Sequence, residues 1–151
     1  MPDSSPPRRR GVDGPPLSRC RWVDLPRVTD HRGHLTFVES DRHVPFAIAR
    51  VYYLYGMPEG TERGGHAYTQ LEQVLIAIAG RFDVVLTDGV VEEVHRLDRP
   101  DRGLYLAPGA WRTLRSFTPD AICLVLASRH YDERDCERDF GAYRARIGAG
   151  T

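Results

Sequence analysis

The chain has 151 residues, enough for one domain that buries roughly 70% of its unfolded surface, and its 21 basic residues balance 21 acidic ones. That balance leaves no electrostatic footprint for nucleic acid or an anionic membrane. Every basic residue is arginine, which excludes Schiff-base chemistry, lysine-anchored pyridoxal phosphate and a Walker-type phosphate loop.

Residues 1–19 are dense in Pro, Gly, Ser and charge with almost nothing apolar to bury, and are expected to form a disordered N-terminal tail. The arginine triplet within it, Arg8 to Arg10, is followed by Gly, Asp and Pro instead of an apolar stretch, so it does not open a signal peptide. From residue 20 to 147 the texture is that of one domain. Short segments of strand character fall at 22–23, 35–39, 48–55, 90–96, 103–107, 111–117 and 121–128, besides a long central stretch over 63–89. Turn signals at Gly33, Pro58, Pro100, Pro108-Gly109 and Pro119-Asp120 separate them. Eight or nine short strands with regular turns imply an all-β sandwich or barrel. Only 132–147 reads as helix, with Phe140, Tyr143 and Ile147 at i, i+3 and i+7, and it should pack outside the β-core. Cys20, Cys123 and Cys136 are odd in number and lack CxxC spacing, so they suggest neither a disulfide framework nor a zinc site. A reducing cytoplasm fits, and no apolar run reaches membrane-spanning length.

The stretch 63–89, RGGHAYTQLEQVLIAIAGRFDVVLTDG, organises the rest. Period-two alternation through His66, Tyr68, Gln70 and Glu72, then an apolar run, Gly80, and Asp88-Gly89, predicts a β-hairpin with those four polar groups on one face. Four polar groups on one face cost desolvation in a plain core, which favours a polar cavity. On 48–55, Arg50 and Tyr52 share a face with Ile48 and Leu54, a second polar strand that points to a shared pocket. Arg32, Arg63 and Arg112 carry further guanidinium groups suited to phosphate. Trp111 and the Tyr52, Tyr53, Tyr55 cluster have the flat faces that stack on a base or sugar, although packing is the commoner fate of such residues.

A β-barrel of cupin type often holds a metal through a His-x-His pair, a later Glu and a His after a Pro-Gly turn. His66 and Glu72 occupy two of those positions, but Tyr68 and Arg112 occupy the others. Arginine is not a ligand and neutral tyrosine a poor one, so an intact divalent site is not expected.

Six ordered blocks carry a family resemblance: DHRGHL (30–35), VPFAIARVYYLY (44–55), RGGHAY (63–68), LEQVLIAIAGRFDVVLTDG (71–89), GLYLAPGAW (103–111) and LVLASRHYDERD (124–135). Together they resemble the cupin-fold nucleotide-sugar 3,4-ketoisomerases that act on dTDP-4-keto-6-deoxyglucose. The resemblance implies a jelly-roll (double-stranded β-helix) fold with a C-terminal helix, a homodimer, no metal or other cofactor, and a dTDP-linked keto-sugar as partner. It also implies movement of the keto group from C4 to C3 through an enediol, in unusual deoxy- and amino-sugar biosynthesis. The family pattern RGxHAH supplies two histidines; the first is His66 here and the second has become Tyr68.

His66 is therefore the expected acid/base group and Tyr68 a hydrogen-bond or proton donor, since a phenol with an ordinary pKa near 10 stays protonated. Arg32, Arg50, Tyr52, Arg63, Glu72 and Trp111 are the expected substrate contacts. Two alternatives stand beside ketoisomerisation because of Tyr68: altered chemistry on the same sugar, such as epimerisation or tautomerisation, and non-catalytic binding of a dTDP-sugar. The early segment 22–39 is expected to pair with a second copy.

Overall fold

The computed structural model describes residues 15–149. Its elements in order are α1 (Pro16–Arg19), β1 (Arg21–Asp24), β2 (Arg27–Asp30), β3 (Gly33–Thr36), β4 (Arg50–Tyr55), β5 (Arg63–Tyr68), β6 (Gln73–Ala79), β7 (Phe82–Thr87), β8 (Glu92–Leu97), β9 (Arg102–Leu106), β10 (Trp111–Arg115), β11 (Ile122–Ala127), a 3-10 turn (Glu133–Asp135), β12 (Cys136–Glu137) and α2 (Phe140–Ala149). Two five-stranded sheets, ordered β1-β9-β6-β11-β4 and β12-β5-β10-β7-β8, face one another, and β2 with β3 forms a separate ribbon. The architecture is the all-β jelly roll expected of a cupin, with a C-terminal helix.

Alternation along the strands sorts side chains between this interior and the two outer faces. Leu75 and Ala77 of β6, Leu104 and Leu106 of β9, and Cys123 and Val125 of β11 meet Phe82, Val84 and Leu86 of β7, Leu97 of β8 and Leu114 of β10. The opposite face of β6, Val74 and Ile76, is covered by Leu25, Val44 and Phe46. Outside the second sheet, Ala67 and Trp111 are covered by Tyr143 of α2, whose hydroxyl donates to the Gly109 carbonyl at 2.6 Å.

The stretch 63–89 departs from the expected hairpin. β5, β6 and β7 alternate between the two sheets, and β5 and β7 both pair with β10 while β6 pairs with β9 and β11. Residues 69–72 are the crossing. There the Asp135 carboxylate accepts from the Gln70 and Leu71 backbone N–H groups at 2.9 and 3.0 Å and from the Thr69 hydroxyl, offering the backbone partners that a strand ladder would otherwise supply. Gly80, at φ 63°, makes the second crossing; a Cβ there would lie 2.4 Å from Thr118 Oγ1. Asp88-Gly89 does turn a hairpin, but between β7 and β8, with Asp88 Oδ1 accepting from the N–H groups of Val90 and Val91 at 2.9 Å each.

Two other expectations change. The helix over 132–147 begins only at Phe140, because Asp132 caps a short 3-10 turn and residues 136–137 pair with Tyr68 and Ala67. The expected tail over 1–19 lies outside the described residues for 1–14, whereas Pro16–Arg19 forms a helical turn that buries Leu17. The early segment also divides: β1 pairs within the chain along β9, and β2–β3 stands apart as an exposed ribbon.

Candidate active site

The inward faces of β4, β5, β6, β10 and β11 enclose a cavity of about 100 Å³ lined by Tyr52, Arg63, Gly64, His66, Gln73 and Arg112, with Leu54, Leu75, Leu114 and Val125 as its apolar wall. Strand register explains the gathering. His66 and Arg112 are direct partners on β5 and β10, both on the inward side, while their sequence neighbours Ala67 and Trp111 turn outward. Just beyond this pair the register slips by a bulge, and Thr113 faces Gly64. Gly64 is at φ 87°, and a Cβ there would stand 2.9 Å from the Arg112 carbonyl oxygen, so the close approach of β5 to β10 requires glycine.

Arg112 is the electrostatic centre. Only 2% exposed, it has no carboxylate within ion-pairing range among the described residues. One terminal nitrogen donates to Gln73 Oε1, the other to the Ala110 carbonyl at 3.1 Å, and Nε has no partner. Tyr68 presents its ring 5.1 Å from the guanidinium carbon, a cation–π contact. Burial pulls the Arg112 pKa below its usual value, yet arginine does not surrender its proton in proteins. A buried cation without an anion is costly, which suits a place where a ligand or a transition state brings negative charge.

His66 is half-buried, and its Nδ1 is buried without a hydrogen-bond partner. Burial first, then the positive charges of Arg112 and Arg138, lower its pKa to about 4, against a smaller upward pull from the Gly64 backbone and Glu133. Near pH 7 its imidazole is neutral and holds a free lone pair, the state required of a base. Tyr68 lies edge-on to it, ring centroids 4.8 Å apart. Burial pushes the Tyr68 phenol up to about 12, outweighing the opposing charge of Arg112, which keeps it protonated at neutral pH.

The structure separates the remaining expected contacts. Tyr52 and Arg63 line the cavity with His66. Arg50 lies beside it in a small adjoining cleft with Tyr68, its guanidinium between the rings of Tyr52 and Tyr131 at 4.9 and 5.5 Å. Glu72 ends up elsewhere because of the crossing at 69–72: its carboxylate accepts from the Tyr105 hydroxyl at 2.7 Å, and Tyr105 belongs to the outer cluster. Trp111 packs against Phe140 and Tyr143 on the far side of β10. Arg32 sits on the exposed ribbon and pairs with Asp30 at 2.6 Å. Gln73 was missed: it is 1% exposed and joins Arg112 to Tyr52. Its signal was a lone amide opening an otherwise apolar run, which is visible in the sequence but shows no partner there.

Residues 18–147 match the family described as FdtA: WxcM-like, C-terminal. The chain belongs to this family. A TDP-4-oxo-6-deoxy-alpha-D-glucose-3,4-oxoisomerase of Aneurinibacillus thermoaerophilus is 37% identical over 125 residues, 83% of this chain and 90% of that protein. A 3,4-ketoisomerase from Helicobacter canadensis superposes with a TM-score of 0.83 at 36% identity, covering 85% of this chain and 97% of that one. A mutant of the 3,4-ketoisomerase QdtA from Thermoanaerobacterium thermosaccharolyticum, in complex with TDP-4-keto-6-deoxyglucose, gives 0.84 at 34% identity, covering 86% and 94%. Family members of this kind are sugar 3,4-ketoisomerases, and the family resemblance read from the six sequence blocks stands.

Proposed function

We propose that the chain is a sugar 3,4-ketoisomerase that moves the keto group of TDP-4-keto-6-deoxyglucose from C4 to C3. The carrying observation is an imidazole whose buried Nδ1 has no partner beside a buried, uncompensated guanidinium in one cavity. Removing the C3 proton leaves an electron pair that forms the C3=C4 bond, while the C4 carbonyl oxygen gains negative charge. His66 accepts that proton, and the Arg112 guanidinium receives the charge. Protonating the oxygen gives the enediol; loss of the C3 hydroxyl proton and return of a proton to C4 complete an isomerisation with no net gain or loss. Tyr68, held protonated, serves the second half by donating toward the enediol.

The cavity is smaller than the several hundred Å³ that usually hold a drug-sized ligand, so only the sugar end enters it. Arg63, at the cavity wall, is suited to the pyrophosphate that follows, and Arg50 to the same anion from the adjoining cleft. Arg32, on the exposed ribbon, does not line its own chain's cavity; its part is played across a two-fold homodimer. Support for that dimer is apolar exposure in two places: Val28 and Leu35 on the ribbon, and Val51, Tyr53 and Tyr55 on the outer face of edge strand β4. Three free cysteines fit a reducing cytoplasm.

Incubation with TDP-4-keto-6-deoxyglucose in heavy water, followed by NMR, tests the reaction. Deuterium at C3 and a 3-keto product are expected. Tight TDP binding without exchange would favour the non-catalytic reading that Tyr68 raises, and deuterium exchange with inversion but no 3-keto product would favour epimerisation.

A further inference from the structure

The hydrogen bonds around Gln73 have only one consistent direction. Arginine has five N–H donors and no acceptor, so the Gln73 atom facing Arg112 must be its carbonyl oxygen. The amide nitrogen is then committed to Tyr52, to whose hydroxyl oxygen it donates at 2.9 Å. With that oxygen already accepting from a protein donor, the Tyr52 O–H bond is left to be given, and among the described residues it meets no protein acceptor. The hydroxyl belongs to a side chain lining the cavity with His66. Gln73 is buried and cannot reverse its amide without setting N–H against guanidinium N–H and leaving Tyr52 with a carbonyl to donate to.

We infer that Gln73 is a positioning residue that fixes the sense of an Arg112–Gln73–Tyr52 chain, making Tyr52 an obligatory hydrogen-bond donor to the substrate oxygen that becomes negatively charged. The inference deepens the ketoisomerase reading and rests on it. A cavity with an electron pair at His66 and a forced donor at Tyr52 is complementary to the two ends of a keto-to-enediol step: one group takes a proton from carbon, the other steadies the oxygen. No proton need leave Tyr52. Arg112 contributes twice, through its field and by polarising the amide that polarises the phenol.

Gln73→Glu tests this at nearly constant volume. A carboxylate at 73 accepts from Arg112 and also from Tyr52, which turns the phenol proton away from the cavity while keeping both partners of residue 73 hydrogen-bonded. The expected result is a fall in kcat of about 10²-fold with KM and calorimetric TDP affinity within about threefold. Tyr52→Phe should lose a similar amount, and the double variant Gln73→Met/Tyr52→Phe, which adds no charge beside Arg112, should be no slower than Tyr52→Phe alone, because the neutral amide acts only through Tyr52. Gln73→Met, which removes the amide and leaves Tyr52 free to rotate, should lose less than Gln73→Glu. Losses that multiply in the double variant, or an active wild type whose Gln73→Glu variant keeps its turnover, overturn the inference. A wild-type chain that neither exchanges deuterium at C3 nor forms product overturns the ketoisomerase reading, and this inference with it.

Discussion

The space between the two sheets is divided side to side. Toward β9, β7 and β8 it is filled by Leu104, Leu106, Phe82, Val84, Leu86 and Leu97. Toward β4 and β5 it holds Tyr52, Gln73, Arg112 and His66 around a cavity. One strand can supply both sides, since β6 contributes Ala77 to the first and Gln73 to the second. Packed hydrocarbon stabilises the fold by staying out of water, whereas a buried guanidinium without an anion offers the fold nothing comparable. The contrast assigns stability to one side and chemistry to the other, and substitutions on each side should therefore fail in different ways.

The largest effect is expected on the packed side. Phe82 is fully buried and stacks on Phe117 with centroids 5.4 Å apart; Phe82→Ala should cost about 3–5 kcal/mol, read as a lower midpoint in denaturant. Full stability in that variant would remove the division between the two sides.

On the polar side the next largest effect is His66→Asn, with turnover down roughly 10²- to 10⁴-fold and TDP binding kept. Stability should respond to pH as well. The native pKa of about 4 lies below the unfolded value of about 6.5, so between them the unfolded chain binds the extra proton. Stability then rises with pH across this window and is lost as pH falls through it. His66→Asn should flatten that part of the stability curve, and an unchanged slope would show that His66 is not held neutral. The acid limb of kcat/KM in the wild type should likewise fall near pH 4 instead of near 6.5.

Arg112→Met sharpens the contrast, because it keeps much of the side-chain volume and removes the charge. Turnover is expected to fall by about 10²- to 10³-fold, while the thermal midpoint changes little, because relief from the buried charge is set against the Gln73 Oε1 and Ala110 carbonyl left without donors. A large loss of stability would instead mark Arg112 as a structural post.

How far this division was legible in the sequence depends on where partners lie. Alternation within single strands, the Pro108-Gly109 and Asp88-Gly89 turns and the RGGHAY block were local signals, and they led to the jelly roll and to His66. The continuous alternation from His66 to Glu72 misled because a bend does not interrupt a polar pattern. The carboxylate that makes the bend belongs to Asp135, more than sixty residues later. Past the bend, Glu72 faces outward and Gln73 inward, the reverse of the single-strand reading. Gln73 and Arg112 are 39 residues apart, and only the packing of one sheet on the other joins them. The C-terminal segment was read as one helix because Asp132 carries no mark of its role as a cap, nor Asp135 of its role at the crossing, until their partners are in place.

The smallest effect is expected at Tyr68, where the chain departs from its family's second histidine. Its phenol is held up to about 12, so at neutral pH it stays protonated, can donate a hydrogen bond and does not serve as a base. Tyr68→Phe should therefore spare the step in which His66 removes the C3 proton and slow the step that follows it. In heavy water the variant should exchange deuterium at C3 at nearly the wild-type rate while 3-keto product accumulates about 10²-fold more slowly, the low end of what a positioned proton donor contributes. Equal loss of exchange and product would place Tyr68 in the first step, beside His66. Undiminished rates for both would leave the ring as packing against Leu71, Ala127 and Cys136, its neighbours in the small cluster beneath the adjoining cleft.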